Sequence, residues 1–150
     1  MADVFTKEKR SAIMSRVKGR GNAATELKMI TILRKHRISG WRRGYPIFGR
    51  PDFVFESARL AIFIDGCFWH GCPLHGSIPQ TNKDFWSAKL ARNQKRDRLV
   101  LKTLRDARWK VVRIWQHELS DSSRIARRIS RSVHNGCKRA EPQPSRQPAL

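Results

Sequence analysis

The chain has 150 residues and a mass of 17.4 kDa, enough for one ordinary core and too short for two comfortable domains. Its 32 Lys and Arg against 12 Asp and Glu leave a net charge of +20, a balance that favours polyanions through counterion release and makes nucleic acid the leading partner. No long apolar helix, lipidation signal or signal-peptide core within Met1 to Arg20 accompanies that charge, so a membrane or exported role is not expected.

Thr6 to Asn22 is basic and punctuated by glycine, with Ile13, Met14 and Val17 its sizeable aliphatic residues. It reads as an arm over residues 1–21 with a marginal helical turn. Asn22 is the expected N-cap of a helix over Thr25 to His36, with Leu27, Ile30 and Leu33 or Ile32 at helical spacing. Glu26 falls in its first turn, where the helix dipole favours a carboxylate. Asp52 to Phe55 and Leu60 to Ile64 are predicted strands joined by the turn-sized Glu56-Ser57-Ala58-Arg59. A turn centred on Ser57 and Ala58 makes paired positions sum to about 115, an antiparallel register that gathers Asp52, Asp65 and the carbonyls around Ile64 at the open end of the hairpin. Asn82 is the expected cap of a long helix to about Ala107, with Phe85, Trp86, Leu90, Val100, Leu101 and Leu104 directed inward. Lys110 to Trp115 is a further strand, and Ile125, Ile129 and Val133 mark a short final helix. Residues 22–135 then form the folded domain, and residues 136–150, polar and rich in proline, a disordered tail. This element order implies an α/β sandwich around a mixed sheet.

The segment Asp65-Gly66-Cys67-Phe68-Trp69-His70-Gly71-Cys72-Pro73-Leu74-His75 combines ligands for hard and soft metals, which points to two inorganic sites. An odd count of three cysteines, two of them flanking a histidine, suits metal binding in a reducing compartment better than a disulfide framework. Cys67, Cys72 and His75 let one loop supply three tetrahedral zinc ligands; two buried free thiols are the plainer alternative. Asp52 taken alone fits the end of a turn, a common task for aspartate. A second strand ending at Asp65 and a charge suited to DNA turn it toward a Mg²⁺ site, because a hard cation takes oxygen ligands and activates water. His70, beside these acids, exchanges protons near neutrality.

Arg50-Pro51-Asp52-Phe53, the block Asp65 to His75, Asn82, Phe85-Trp86, Lys89, Asn93, Arg96-Asp97 and Trp109 through Trp115 together resemble the very short patch repair (Vsr) DNA mismatch endonuclease family, over roughly Thr6 to Asn135. The resemblance implies a restriction-endonuclease-like fold, related to the PD-(D/E)xK nucleases: a three-layer sandwich with a central mixed sheet and a structural zinc site. It implies a Mg²⁺-dependent nick 5′ of the thymine in a T:G mismatch left by deamination of 5-methylcytosine, with a 5′-phosphate product. It assigns the Mg²⁺ contact to Asp52 and the Ile64 main-chain carbonyl, with Asp65 a lesser contact through water, and makes His70 the general base. No lysine follows Asp65 at short spacing, so the usual Asp, Glu-x-Lys arrangement is absent. Glu26 and Asp97 match acidic family positions near the active site, which implies holding metal-bound water or orienting His70; a helix-start charge and a helix ion-pair partner explain them equally well. The fourth zinc ligand falls on His117, where the family usually has a cysteine, with Cys137 its rival. Phe68 and Trp69 correspond to an intercalating pair, since unstacking is cheaper at a mismatch. Met14 and Val17 match an arm entering from the opposite groove, and Arg20, Lys89, Asn93 and Arg96 are candidate phosphate or base contacts. A cytoplasmic, nucleoid-associated bacterial setting and a MutL-type partner complete what the resemblance implies, and a monomer is expected because no dimer seam appears in the sequence. The alternatives are a restriction-type endonuclease without mismatch specificity and a non-catalytic zinc-stabilised DNA-binding module.

Overall fold

The computed structural model describes residues 23–67, 70–74 and 78–140. A π-helical turn, Ala23–Leu27, runs into helix α1, Lys28–Lys35. The π turn takes up more than the α-helical 3.6 residues and so shifts the phase of the apolar stripe. Met29, Ile32 and Leu33 are buried, Ile30 is half-buried and Leu27 is 45% exposed, which moves the inward face one step from the expected Leu27–Ile30 line. A strand of two residues, β1 (Trp41–Arg42), precedes β2 (Phe53–Phe55) and β3 (Leu60–Asp65).

The hairpin register is as expected, with Phe53 opposite Ile62, Val54 opposite Ala61 and Phe55 opposite Leu60. Every residue of β3 is buried, as a strand flanked on both edges and covered on both faces requires. On its other edge it pairs in parallel with β4 (Lys110–Trp115), giving a four-stranded mixed sheet in the order β1-β2-β3-β4. The link is helix α2, Lys83–Asp106, since parallel neighbours need a crossover of this kind.

Strand alternation divides the interior into two layers. Leu60, Ile62, Ile64, Val112 and Ile114 join Phe53 and Phe55 against α1 and the final helix, α3 (Ser122–Ala140). Ala61 and Phe63 turn to the opposite face and meet Val100 and Leu104 of α2. The result is helices on both sides of one mixed sheet.

Three local expectations change. Asn82 precedes α2 in the left-handed conformation, φ 56°, and its side chain makes no capping hydrogen bond. Phe85 is 55% exposed rather than inward, edge-on to the buried Trp86. Helix α3 continues to Ala140, beyond the expected boundary at Asn135. Gly136 is the reason: a Cβ there would fall 2.4 Å from the Ala58 carbonyl oxygen, so only glycine lets the helix lie this close to the β2–β3 turn. Residues 141–150 of the expected tail lie outside the described residues. No described helix is long and apolar enough to cross a membrane.

Candidate active site and a Cys/His cluster

The hairpin register brings the first acid to its place. The Asp52 backbone N–H donates to the Ile62 carbonyl at 3.0 Å, and its carboxylate Oδ2 accepts from the Ile64 N–H at 2.7 Å. Both bonds hold the side chain at the open end of the hairpin. Glu26, 5% exposed at the π turn, pairs with Arg43 and shares a hydrogen bond with Asp52. Burial pushes the Asp52 carboxyl up from 3.8 to about 6; the Ile64 N–H opposes this, and the Glu26 and then the Asp65 carboxylate add to it. Glu26, Arg43, Gly49, Arg50, Asp52 and Arg96 line an open cleft of about 760 Å³ here. Gly49 brings its wall in, since a Cβ there would lie 2.4 Å from Val100 Cγ1 on α2.

A second chain of charges runs from β3 to the loop histidine. Asp65 faces the α2 side and receives Arg113 Nε and Nη2 at 2.7 and 2.6 Å, a bidentate pair. The same Nη2 lies 3.2 Å from Asp97 Oδ1, and Asp97 Oδ2 lies 2.6 Å from His70 Nδ1. Burial works against the guanidinium charge, and the two carboxylates outweigh it, holding Arg113 above its ordinary pKa. Asp65, expected as a lesser metal contact, holds Arg113 with both oxygens, and its Oδ1 lies 3.8 Å from His70 Nδ1. Asp97 is thus the carboxylate within hydrogen-bond distance of His70 Nδ1.

Helix α2 explains how Asp97 arrives there. Trp86, Leu90, Asn93, Asp97, Val100 and Leu104 follow one another at spacings of four and three, one face of the helix. Its apolar ends are buried, whereas Asn93 and Asp97 in the middle are only partly covered. Lys89 lies beside this stretch with its ammonium 5.4 Å from the Trp86 ring centroid, and Arg96 reaches the Asp52 cleft.

Cys67, Cys72 and His117 form a third group, with donor atoms all within 4.8 Å of one another. The Cys67 and Cys72 sulfurs lie 3.3 and 3.6 Å from His117 Nδ1. His117 enters from a 3-10 turn, Gln116–Ser120, that directly follows β4, and Cys137 is exposed on α3, away from the group. Partial burial, with the Cys72 thiol beside it, pushes the Cys67 thiol up against the His117 backbone N–H, which lowers it.

Met14, Val17, Arg20, Phe68, Trp69 and His75 lie outside the described residues. Sequence reasoning missed Arg113 and Arg43. Arg113 had a signal, a cation interrupting the apolar run Lys110 to Trp115; Arg43, one of many arginines on the chain, had none.

A family model described as DNA mismatch endonuclease Vsr matches residues 2–75. The type II nicking enzyme V.XorIIP of Xanthomonas oryzae is 35% identical over 133 residues, 86% of this chain and 95% of that protein. The DNA mismatch endonuclease Vsr of Escherichia coli is 33% identical over 127 residues, 83% of this chain and 80% of that protein. The type II nicking enzyme V.NaeI of Lentzea aerocolonigenes is 52% identical over 77 residues, a match spanning 51% of this chain and 46% of that protein.

Proposed function

On the premise that this chain belongs to the Vsr family of DNA mismatch endonucleases, we propose that it nicks one strand of duplex DNA 5′ of the thymine in a T:G mismatch, using Mg²⁺, as the first step of repair after deamination of 5-methylcytosine. Family membership makes the chain an endonuclease and removes the non-catalytic alternative. The observation that carries the finer reading is the pairing of two arrangements at one end of the sheet. Adjacent carboxylates, half-buried Asp52 and buried Glu26, lie beside a histidine held by an aspartate.

The acids fit a divalent cation, because a carboxyl pushed up to about 6 by burial and a second acid marks a negative site that such a charge would relieve. Asp52 and the Ile64 carbonyl would hold Mg²⁺, which when bound polarises the phosphate and lowers the pKa of water. Asp97 accepts the Nδ1 proton of His70, which fixes the tautomer and leaves Nε2 as the basic nitrogen for the attacking water. Arg113 keeps Asp97 in place through Nη2. Lys89, Asn93, Arg96 and Arg20 would meet phosphates or base edges, and Phe68 and Trp69, with Met14 and Val17 opposite, would part the mismatched pair.

Cys67, Cys72 and His117 would hold a structural zinc ion, with His75 the fourth ligand. Ordinary Zn–S and Zn–N bonds at a tetrahedral angle separate sulfur from nitrogen by about 3.6 Å. The observed 3.3 and 3.6 Å match that edge.

The test compares duplexes that differ only at one pair, T:G against T:A, with Mg²⁺ present. Nicking of T:G alone, abolished in Asp52→Ala while binding persists, supports the proposal; equal cleavage by mutant and wild type removes Asp52 from the mechanism. A second reading, a nicking enzyme of restriction type, is favoured by the names of the Xanthomonas and Lentzea relatives, each a type II nicking enzyme. It predicts T:A and T:G duplexes nicked alike within one sequence context. We carry a monomer and a MutL-type partner as parts of the first reading; light scattering of the purified chain and of its mixture with such a factor tests both.

A further inference from the structure

A second cleft, about 1100 Å³, lies away from the catalytic acids. It opens where the β2–β3 turn, the link from α2 to β4 and the last turns of α3 meet. Leu60 faces Lys110 at this end of the parallel pair β3 and β4, and Asp65 faces Trp115 at the other. The length of β3 thus separates the cleft from the catalytic acids by about 17 Å. Arg59, Arg105, Arg108, Lys110 and Lys138 line it, and among the described residues no acid does. Among the described residues none of these five has a carboxylate within ion-pair distance. This is the reverse of the catalytic end, where Arg43 and Arg113 are each paired with a buried acid.

Two of these arginines stand where a side chain is strained. Arg59 and Arg108 have φ of 46° and 64°, the left-handed region in which glycine or asparagine would be ordinary. Arg59 has a local reason: its guanidinium donates to the Ala107 carbonyl at 2.8 Å and lies 5.0 Å over the Trp109 ring. Arg108 owes its conformation to the end of α2: its N–H donates to the Arg105 carbonyl and the Trp109 N–H to the Leu104 carbonyl, each at 2.9 Å, a Schellman turn that leaves the Arg108 side chain without a hydrogen-bonded partner among the described residues.

We infer that this cleft is a second DNA site, one that holds the sugar-phosphate backbone of another duplex segment while the first lies against Asp52. The inference rests on the reading that the chain works on duplex DNA, and it adds a second point of grip. Concentrated, unneutralised cations gather counterions that a polyanion releases, and guanidinium groups match phosphate oxygens. The ligand is the backbone rather than the bases, because the half-buried Trp109, the cleft's aromatic ring, is already covered in part by Arg59 at 5.0 Å and by Tyr45 at 5.9 Å, contacts that a stacking base would have to displace. An acidic protein fits less well, for the same covering takes away the aromatic anchor on which such interfaces depend.

The test uses the full chain with two short T:G duplexes, one carrying a donor dye and the other an acceptor, in Ca²⁺ to hold back cleavage. Wild type should bring the dyes together. The double variant Arg105→Gln with Lys138→Gln, both exposed and outside the catalytic group, should lose that transfer by about tenfold or more, and its salt slope on long DNA should fall by about two, close to one per phosphate contact removed. Its nicking of a single short T:G duplex in Mg²⁺ should stay at the wild-type rate, which also shows that the variant is folded. Wild type that saturates with one duplex and shows no transfer overturns the inference. So does transfer that persists in the double variant, because two associated copies, each with one duplex, would then explain it. Nicking reports on the function proposed above and transfer on this second site, so each can fail alone.

Discussion

Replacing Asp52 with asparagine should make the metal-free protein more stable at neutral pH. The carboxyl is pushed up from 3.8 to about 6, chiefly by burial. A raised folded-state pKa contributes stability that is fully present below the unfolded value and is lost as pH rises through the folded one. The shift of about two units, at about 1.4 kcal/mol each, means that ionised Asp52 costs about 3 kcal/mol at pH 8. Asparagine has nearly the same shape, still accepts the Ile64 N–H through its amide oxygen, and can donate to Glu26. Urea unfolding in EDTA across pH 4 to 8 should therefore show Asp52→Asn the more stable by up to about 3 kcal/mol at the alkaline end, with the gap closing toward pH 4. Mg²⁺ at about a thousand times its Kd should reverse the order, since it then adds about 4.1 kcal/mol to the state that binds it. Equal stability of the two proteins at pH 8 in EDTA, or an equal Mg²⁺ gain in both, would refute this account of the acid cluster.

Asp97→Asn should lower kcat by about 10²- to 10⁴-fold with little change in KM, because it disturbs the His70 tautomer and leaves the DNA contacts in place; single-turnover nicking of a T:G duplex measures it. Elemental analysis should find zinc lost from His117→Ala and kept in Cys137→Ala and His117→Cys; loss in the Cys137 variant alone would reverse the assignment. Arg113→Met leaves buried Asp65 without its partner and should cost about 3 kcal/mol in urea unfolding, a loss that adding Asp65→Asn should largely restore. If the double variant is as unstable as the single one, the pair is not the source of the effect.

The parts of the fold visible in the sequence were those set by local pattern. Asp52-Phe53-Val54-Phe55, a four-residue turn and Leu60 to Ile64 define their own pairing, and the structure has the register whose positions sum to 115. β1 was not visible because two residues carry no period. The end of α3 was misjudged because the prolines near the terminus outweighed a helix that Gly136 lets pack on Ala58. In the site, Asp52, His70 and Asp97 were found as residue types in a telling block. The partner of Asp65 was not, since Arg113 is 48 positions away and reaches it only through the parallel pairing of β3 and β4. The helix face from Trp86 to Leu104 held a readable clue in its polar middle: a helix does not interrupt its buried stripe with Asn93 and Asp97 unless something polar lies across from them.

The loop from Glu56 to Arg59 touches no reacting group, yet it works as a gauge that meters out chain between two strands. Lengthened by a single residue, it would rotate every side chain upstream of it to the other surface of the sheet. Phe53 and Phe55 would leave the interior, and the carboxylate now tied to the Ile64 N–H would swing away from it. An enzyme of this design can be silenced by a register-shifting insertion far from its acids.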